Sequence, residues 1–290
     1  VTFTGSASTG RMLKSHPRIL SEAVPFNMEA DSLNCCILAP DVTTDMPEFD
    51  LFIKEVVREV TTKAGQKCTA IRRIIVPAGK AEDVQIALGK RLKGTTIGDP
   101  SIKEVRMGPL AGIAQRNEVR EKVQQLAKSQ EIVIGDMEQF EVLGADKEKG
   151  AFLPPLIFLN NDPFHKTDCH NIEAFGPVST IIPYNSIDDA IALSRMGRGS
   201  LVSSVVTYND DVAKEIVLGT ASMHGRILVL NRDCAKERTG HGSPMPMLVH
   251  GGPGRAGGGE EMGGKRGVLH YLQRTAIQGS PTTISRITNV

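Results

Sequence analysis

The sequence predicts an α/β fold with a largely parallel sheet, and two observations carry that reading. Apolar, β-branched runs such as 71-IRRIIVP-77 and 226-RILVLN-231 recur along the chain, and between them lie segments whose apolar residues return at helical spacing. Strands that alternate with helices are joined by crossovers, the pattern of a parallel sheet covered by helices. With 290 residues, the chain can bury a substantial core in one large domain or two ordinary ones.

In chain order, residues 1–4 read as a strand, 5-GSASTG-10 as a tight turn, and 11-RMLKSHP-17 as the start of a helix that Pro17 stops. Extended segments are expected at 24–30 and 34–40. The clearest helix spans 47–65: Phe49, Phe52, Ile53, Val56, Val57 and Val60 fall on one stripe, with Pro47 near the start and Gly65 at the end. A strand follows at 71–77, then helices around 80–93 and 112–129 with the turn 98-GDP-100 between them. Strands near 131–134 and 151–159, a helix at 187–196, a strand at 200–208, a helix at 210–219 and a strand at 226–231 complete the alternation. The stretch 251-GGPGRAGGGEEMGG-264 holds too many glycines for a regular element and reads as a loop.

Composition excludes several functional classes. The 34 basic and 33 acidic residues leave a formal charge of +1, which gives no electrostatic case for nucleic acid or an anionic membrane. No apolar stretch approaches the roughly 20 residues a spanning helix needs. Five cysteines are an odd number, and with no signal peptide in the chain they favour a reducing compartment, so a cytoplasmic protein is expected. Residue 1 is Val, and 1-VTFTG-5 runs straight from strand into turn, so the chain reads as a fragment entered in mid-fold.

The chemistry centres on Cys68 and Glu29. In 65-GQKCTA-70 the cysteine stands where a helix ends and an apolar strand begins, a junction at which a thiol can meet a substrate. Cysteine is intrinsically nucleophilic, and a nearby base raises its thiolate fraction. Glu29 lies within 26-FNMEADSLN-34, between two apolar stretches where a carboxylate needs a reason. Either residue alone is compatible with a structural role, as a small core hydrophobe or an exposed loop acid. His165, Cys169 and His170 lack a second matching pair at zinc-like spacing, so no metal is expected. Cys35 and Cys36 read as core residues on opposite strand faces, and His241 and His250 as structural residues flanking the glycine-rich loop. Arg255 and Lys265 are candidates for a phosphate on charge and loop position alone.

Four ordered blocks make the sequence resemble the aldehyde dehydrogenase superfamily over its whole length. The turn 3-FTGSASTG-10 resembles that family's phosphate-contacting turn, which places Gly5 and Ser6 against the dinucleotide. Glu29 falls at the general base, although Ala30-Asp31-Ser32 stands where the family usually has a Leu-Gly-Gly-like run. Cys68 matches the nucleophile. In 173-EAFGPV-178, Glu173 matches the residue that binds the nicotinamide-side ribose, and Phe175 the residue beside the nicotinamide. The resemblance implies attack of Cys68 on an aldehyde, hydride transfer to NADP, with NAD possible, and Glu29-assisted hydrolysis of a Cys68 thioester. It implies an aldehyde dehydrogenase-like α/β fold in which 1–34 is the last part of a Rossmann-like cofactor domain and 35–235 the catalytic domain. Residues 236–290 would be a glycine-rich return ending in an oligomerisation strand at 281–290, hence a homo-oligomer.

Four stretches, 28-MEADSLNCCILAPD-41, 229-VLNRDCAKERTGHGSPMP-246, 248-LVHGGPGRAGGGEEMGG-264 and 269-LHYLQRTAIQGSP-281, resemble the dehydrogenase part of bifunctional ring-opening proteins of bacterial phenylacetate degradation, the PaaZ group. That branch implies 3-oxo-5,6-dehydrosuberyl-CoA semialdehyde as the CoA-linked substrate. A hydratase domain follows in those proteins, and its hydrolase activity is not expected of these residues. The readings from other classes are a cysteine-dependent thiol hydrolase or acyltransferase, which leaves 3-FTGSASTG-10 and 173-EAFGPV-178 unexplained, and a non-catalytic oligomerisation scaffold. Because the family's cofactor portion precedes the first block, this chain alone is expected to be inactive or very weak. Aldehyde-dependent nicotinamide reduction by the 290-residue chain, at a rate comparable with a full-length protein, would overturn that expectation.

Overall fold

The computed structural model describes residues 1–245 and 247–289. A small unit comes first: β1 (Thr2–Thr4), α1 (Ala7–Lys14), α2 (Pro17–Ser21) and β2 (Asn27–Glu29). β1 and β2 pair in parallel, with Thr4 beside Glu29. The chain then runs through β3 (Cys35–Leu38), α3 (Pro47–Thr61), β4 (Arg73–Pro77), α4 (Ala81–Leu92), α5 (Ile113–Leu126), β5 (Glu131–Ile134) and β6 (Leu156–Leu159). It continues as β7 (Val178–Tyr184), α6 (Ile187–Arg195), β8 (Ser200–Val206), α7 (Asp210–Thr220) and β9 (His224–Leu230). These strands form one seven-stranded sheet in the order β5-β6-β7-β4-β3-β8-β9. Every neighbouring pair is parallel except β5 with β6.

Strand alternation assigns the two faces of the sheet. Cys36 and Leu38 of β3 pack with Phe52, Ile53, Val56 and Val60 of α3, whereas Cys35 and Ile37 pack with Leu193 of α6 and Ile216 of α7. Both cysteines are fully buried and fill opposite faces, as their adjacency on a strand requires. A third cluster, around Val119 and Val123 of α5, packs on Leu156 and Phe158 of β6 and extends the core beyond the antiparallel edge. Helices on both faces and apolar runs in the central strands are the layered arrangement expected of a parallel sheet.

Several local expectations are corrected. The first helix starts at Ala7, capped by the Ser6 side chain, and Pro17 opens α2 instead of ending α1; proline suits a first helical position, where its missing N–H has no acceptor to lose. β7 was not anticipated, because Pro183 interrupts its run; its neighbour β4 tolerates the missing donor near the strand's end. The glycine-rich segment contains a short antiparallel pair, β10 (His250–Gly251) and β11 (Glu260–Glu261), and leads into α8 (Gly264–His270). The expected closing strand at 281–290 is instead α9 (Pro281–Thr288), with Ser280 accepting from the Thr283 N–H and Pro281 at the first position; Val290 lies outside the described residues. Among the described residues, no helix is long and apolar enough to cross a membrane.

At the start of β4, Arg73 is fully buried. Its guanidinium donates to the carbonyls of Leu33 (2.8 Å), Leu193 (2.7 Å) and Ser194 (2.9 Å). An apolar replacement would strand the carbonyls of Leu33 and Leu193, while that of Ser194 keeps the Gly197 N–H at 3.4 Å. Arg73→Leu is therefore expected to lower stability by about 3–5 kcal/mol, measured by urea unfolding. A loss below about 1 kcal/mol would mean that those carbonyls find other partners.

Candidate active site

Cys68 sits in the connection between α3 and β4, and the backbone there is unusual. Lys63, Ala64 and Gly65 are three consecutive residues at positive φ (54°, 52° and 68°). Left-handed backbone is costly for the two residues that carry a Cβ, and such strain persists only where its surroundings hold it. The holding contacts are visible. A Cβ on Gly65 would lie 2.2 Å from the Gly176 carbonyl oxygen, so only glycine permits this approach. Buried Asn34 donates from Nδ2 to the carbonyls of Cys68 (2.8 Å) and Ala70 (3.0 Å), and Ser32 Oγ donates to Asn34 Oδ1 at 2.6 Å.

Glu29 ends β2 and is fixed through its backbone, its carbonyl accepting from the Gly5 N–H at 3.1 Å. Its Oε2 lies 3.4 Å from Nε2 of His250. The His250 hydrogen bond holds the Glu29 carboxyl below its ordinary range against the opposing effect of burial, with Cys68 and Glu261 assisting. The same bond pushes His250 up. Burial, then the charge and hydrogen bond of Glu29, push the Cys68 thiol up to about 12. The resting pair is therefore a neutral thiol beside a carboxylate.

Ser6, Gly5, Glu29, Cys68, Glu173 and Phe175 all line one cleft of about 440 Å³, joined by Ser8, Asp31 and Lys122. A larger hollow of about 850 Å³, between the end of α4 and the 135–143 loop, contains none of them. Ser6 Oγ accepts from the Thr9 N–H and donates to Thr9 Oγ1, so it acts as the cap of α1. The Ala7 N–H donates to Asp31 Oδ1 at 2.8 Å, which places one carboxylate at the helix start where an anion was expected. Phe175 lies under the Arg72 guanidinium, 5.5 Å from its ring centre, and its carbonyl accepts from Gln115 Nε2.

Three residues of the site were not picked out from the sequence. Asn34 gave no signal beyond standing before an apolar strand. Arg72 is the first of a doubled arginine entering a buried strand, and an arginine there needs partners. The sequence puts His250 beside a glycine-rich loop, but its strand pairing with Glu261 carries it to Glu29. His241 does serve the loop: it is fully buried, bonded to Ser204 Oγ, and its N–H donates to Glu55. Arg255, a phosphate candidate on charge and loop position, donates to the carbonyls of His170 and Asn171 and approaches Asp31. Among the described residues, Glu29, Cys68 and His250 form a group whose ligand atoms lie within 4.8 Å of one another.

The model of the aldehyde dehydrogenase family matches residues 1–277, and the chain belongs to that family. It is 42% identical over 253 residues to the 3,4-dehydroadipyl-CoA semialdehyde dehydrogenase of Aromatoleum evansii, covering 87% of this chain and 49% of that protein. It is 48% identical over 182 residues to protein MaoC of Klebsiella aerogenes, covering 62% and 52%. The chain thus spans about half the length of the curated relatives it matches. Its fold is shared with lactaldehyde dehydrogenase from Escherichia coli, at a TM-score of 0.76 and 24% identity over 94% of this chain and 52% of that one. A betaine aldehyde dehydrogenase mutant from Staphylococcus aureus gives 0.78 and 23%, over 94% and 50%.

Glu173 supplies a measurable signature of the site. Burial pushes its carboxyl up to about 7, while Arg72, 3.8 Å away, pulls down and Asp31 pushes up. Because the folded chain keeps a proton that the unfolded chain has released, stability falls as pH rises from the ordinary 4.5 to about 7, then levels. The loss attributable to Glu173 is on the order of 3 kcal/mol. Glu173→Gln is expected to flatten that part of a stability profile measured by chemical denaturation across this pH range. An unchanged slope would show that the carboxyl is not the group responsible.

Proposed function

We propose that this chain is the nucleophile-bearing part of an aldehyde dehydrogenase that oxidises a CoA-linked semialdehyde to its acid, using NADP or NAD. The observation that carries the reading is the meeting of Cys68, Glu29 and Glu173 in one cleft from three distant parts of the chain. The name of one similar protein, a CoA semialdehyde dehydrogenase, supports the substrate class. The phenylacetate-pathway aldehyde and the preference for NADP rest on the branch-specific stretches described above. So does the division into a cofactor-domain remnant at 1–34, a catalytic domain at 35–235 and a return segment from 236.

The residues present suit a dinucleotide. Glu173 Oε1 is buried without a hydrogen-bond partner, an acceptor suited to ribose hydroxyls. Gly5, Ser6 and Ser8 line the same cleft and Phe175 offers an aromatic face there. The nicotinamide, when bound, supplies the hydride acceptor. Cys68 Sγ bonds to the aldehyde carbon, its proton leaves toward the Glu29–His250 pair, and the Cys68 backbone N–H is the chain's own donor to the oxyanion. At the thioester stage Glu29 accepts a proton from the attacking water, the carbon–sulfur bond breaks, and Cys68 recovers its proton as the acid departs. Pairing with His250 keeps Glu29 ionised and gives the accepted proton a neighbour that holds it.

The test uses the full-length protein carrying this chain, with a CoA-linked aldehyde and either nicotinamide cofactor. Cys68→Ala should lower kcat by about three orders of magnitude or more, read as growth of reduced-nicotinamide absorbance. Oxidation that persists in the variant would overturn the assignment of Cys68. Product release without nicotinamide reduction would instead mark a thiol hydrolase, and undiminished function in the variant a scaffold.

A further inference from the structure

We infer that Glu29, Cys68 and His250 form a built site for a borderline-soft divalent cation such as Zn²⁺, which would capture the thiol and leave one coordination position open. Three observations carry this. The first is geometry: the three ligand atoms lie within 4.8 Å of one another. The Glu29 Oε2 to His250 Nε2 separation is 3.4 Å, close to the edge of about 3.3 Å expected of a tetrahedron with zinc bonds of 2.0–2.1 Å. One thiolate, one imidazole and one carboxylate make a donor set that suits zinc, whereas magnesium and calcium seek oxygen throughout.

The second observation is preorganisation. Each ligand stands on backbone held by a different contact. Glu29 is at the end of a strand pair and Cys68 in a turn pinned by Asn34. His250 is in a short ladder whose neighbouring Gly259 N–H donates to the Met28 carbonyl, beside Glu29. A site already assembled does not have to collect its ligands from a disordered loop. Cys68 and His250 both keep partial exposure, so the site has an entry path.

The third observation is charge. Asp31 and Glu173 line the cleft with Glu29 and Cys68, and Glu261 is opposite His250 in the ladder. Against these carboxylates stand Arg72 beside Glu173, Arg255 beside Asp31, Lys122 in the lining of the cleft, and the more distant Arg226. Burial and the neighbouring Glu29 carboxylate disfavour a bare thiolate at Cys68, and a dication bound between these groups favours it. Capture breaks the Cys68 S–H bond, forms a metal–sulfur bond, releases the proton to buffer and changes no oxidation state. The capture itself is independent of the enzymatic reading. Its consequence, reversible blockage of the nucleophile, rests on that reading.

The test adds Co²⁺, as a spectroscopic substitute, and Zn²⁺ to the metal-free 290-residue chain without aldehyde or nucleotide. The expected result is one tight equivalent, with a thiolate-to-cobalt charge-transfer band and the strong visible bands of tetrahedral cobalt, both reversed by EDTA. Cys68→Ser should abolish the charge-transfer band, and His250→Ala and Glu29→Gln should each weaken binding by more than about tenfold. Cys234→Ser, a change at another partly exposed thiol, should alter nothing. A band that survives Cys68→Ser, or affinity unaffected by His250→Ala, would overturn the site. Should a variant fail to fold, alkylation of the unaltered chain decides: saturating Zn²⁺ should slow iodoacetamide labelling of the Cys68 peptide at least about tenfold, and equal labelling overturns the inference. Metal capture together with retained aldehyde oxidation in full-length Cys68→Ala would leave the metal site standing and remove the enzymatic role of Cys68.

Discussion

A buried guanidinium, that of Arg72, fastens the two halves of the site to each other. It donates to the Gly65 carbonyl in the Cys68 turn and to the Gly176 carbonyl in the Glu173 segment. It also lies 3.8 Å from Glu173 and above the Phe175 ring. The Gly65 to Gly176 approach is too tight for a Cβ, so the turn and the segment behave as one packed unit. The next residue, Arg73, points to the opposite face of β4 and binds three carbonyls at the ends of β3 and α6. Alternation along one strand thus gives adjacent arginines different tasks.

Charge in the cleft follows from that frame. Burial alone would push every carboxyl there upward, yet Glu29 and Glu173 are driven apart. Glu29 has a directed hydrogen bond to His250, which outweighs its desolvation. Glu173 has a longer contact with Arg72 and a backbone bond from Ser32, but one of its oxygens is without a partner, so desolvation prevails. Two carboxyls in one hollow therefore differ in protonation near neutral pH, the kind of separation that lets one act as a base while the other can share a proton.

Much of this was legible in the sequence because periodicity reports burial. The α3 stripe and the apolar runs of β3, β4, β8 and β9 place the sheet and its covering helix, and the four motif blocks name six residues that the fold carries to one cleft. What stayed hidden depends on contacts between distant segments. His250 belongs to a glycine-rich stretch whose composition signals flexibility, while its actual position is set by two-residue ladders and by backbone bonds to Met28. β7 was masked by a proline, and 281–290 carries β-branched residues whose local preference loses to a proline-initiated, serine-capped helix over 281–288. Neither outcome is written in hydrophobic spacing.

The same long-range logic explains the acids on α3. Glu48, Glu55 and Glu59 are buried on a helix otherwise stabilised by its apolar stripe, an arrangement that would be costly if they were unpaired. Arg58 of the same helix donates to Glu55, and the other partners come from outside the helix. Arg232 meets Glu48 in a two-point contact, Arg238 and the His241 N–H meet Glu55, and Lys67 meets both oxygens of Glu59 at 2.7 Å. Lys67 precedes Cys68, and Gly242 accepts from Thr69, which follows it. The helix whose apolar side builds the core therefore uses its acidic side to hold both the Cys68 turn and the 231–243 segment beside it. Replacing these pairs by well-packed apolar residues could preserve stability, but it would remove the directional contacts that set where Cys68 stands.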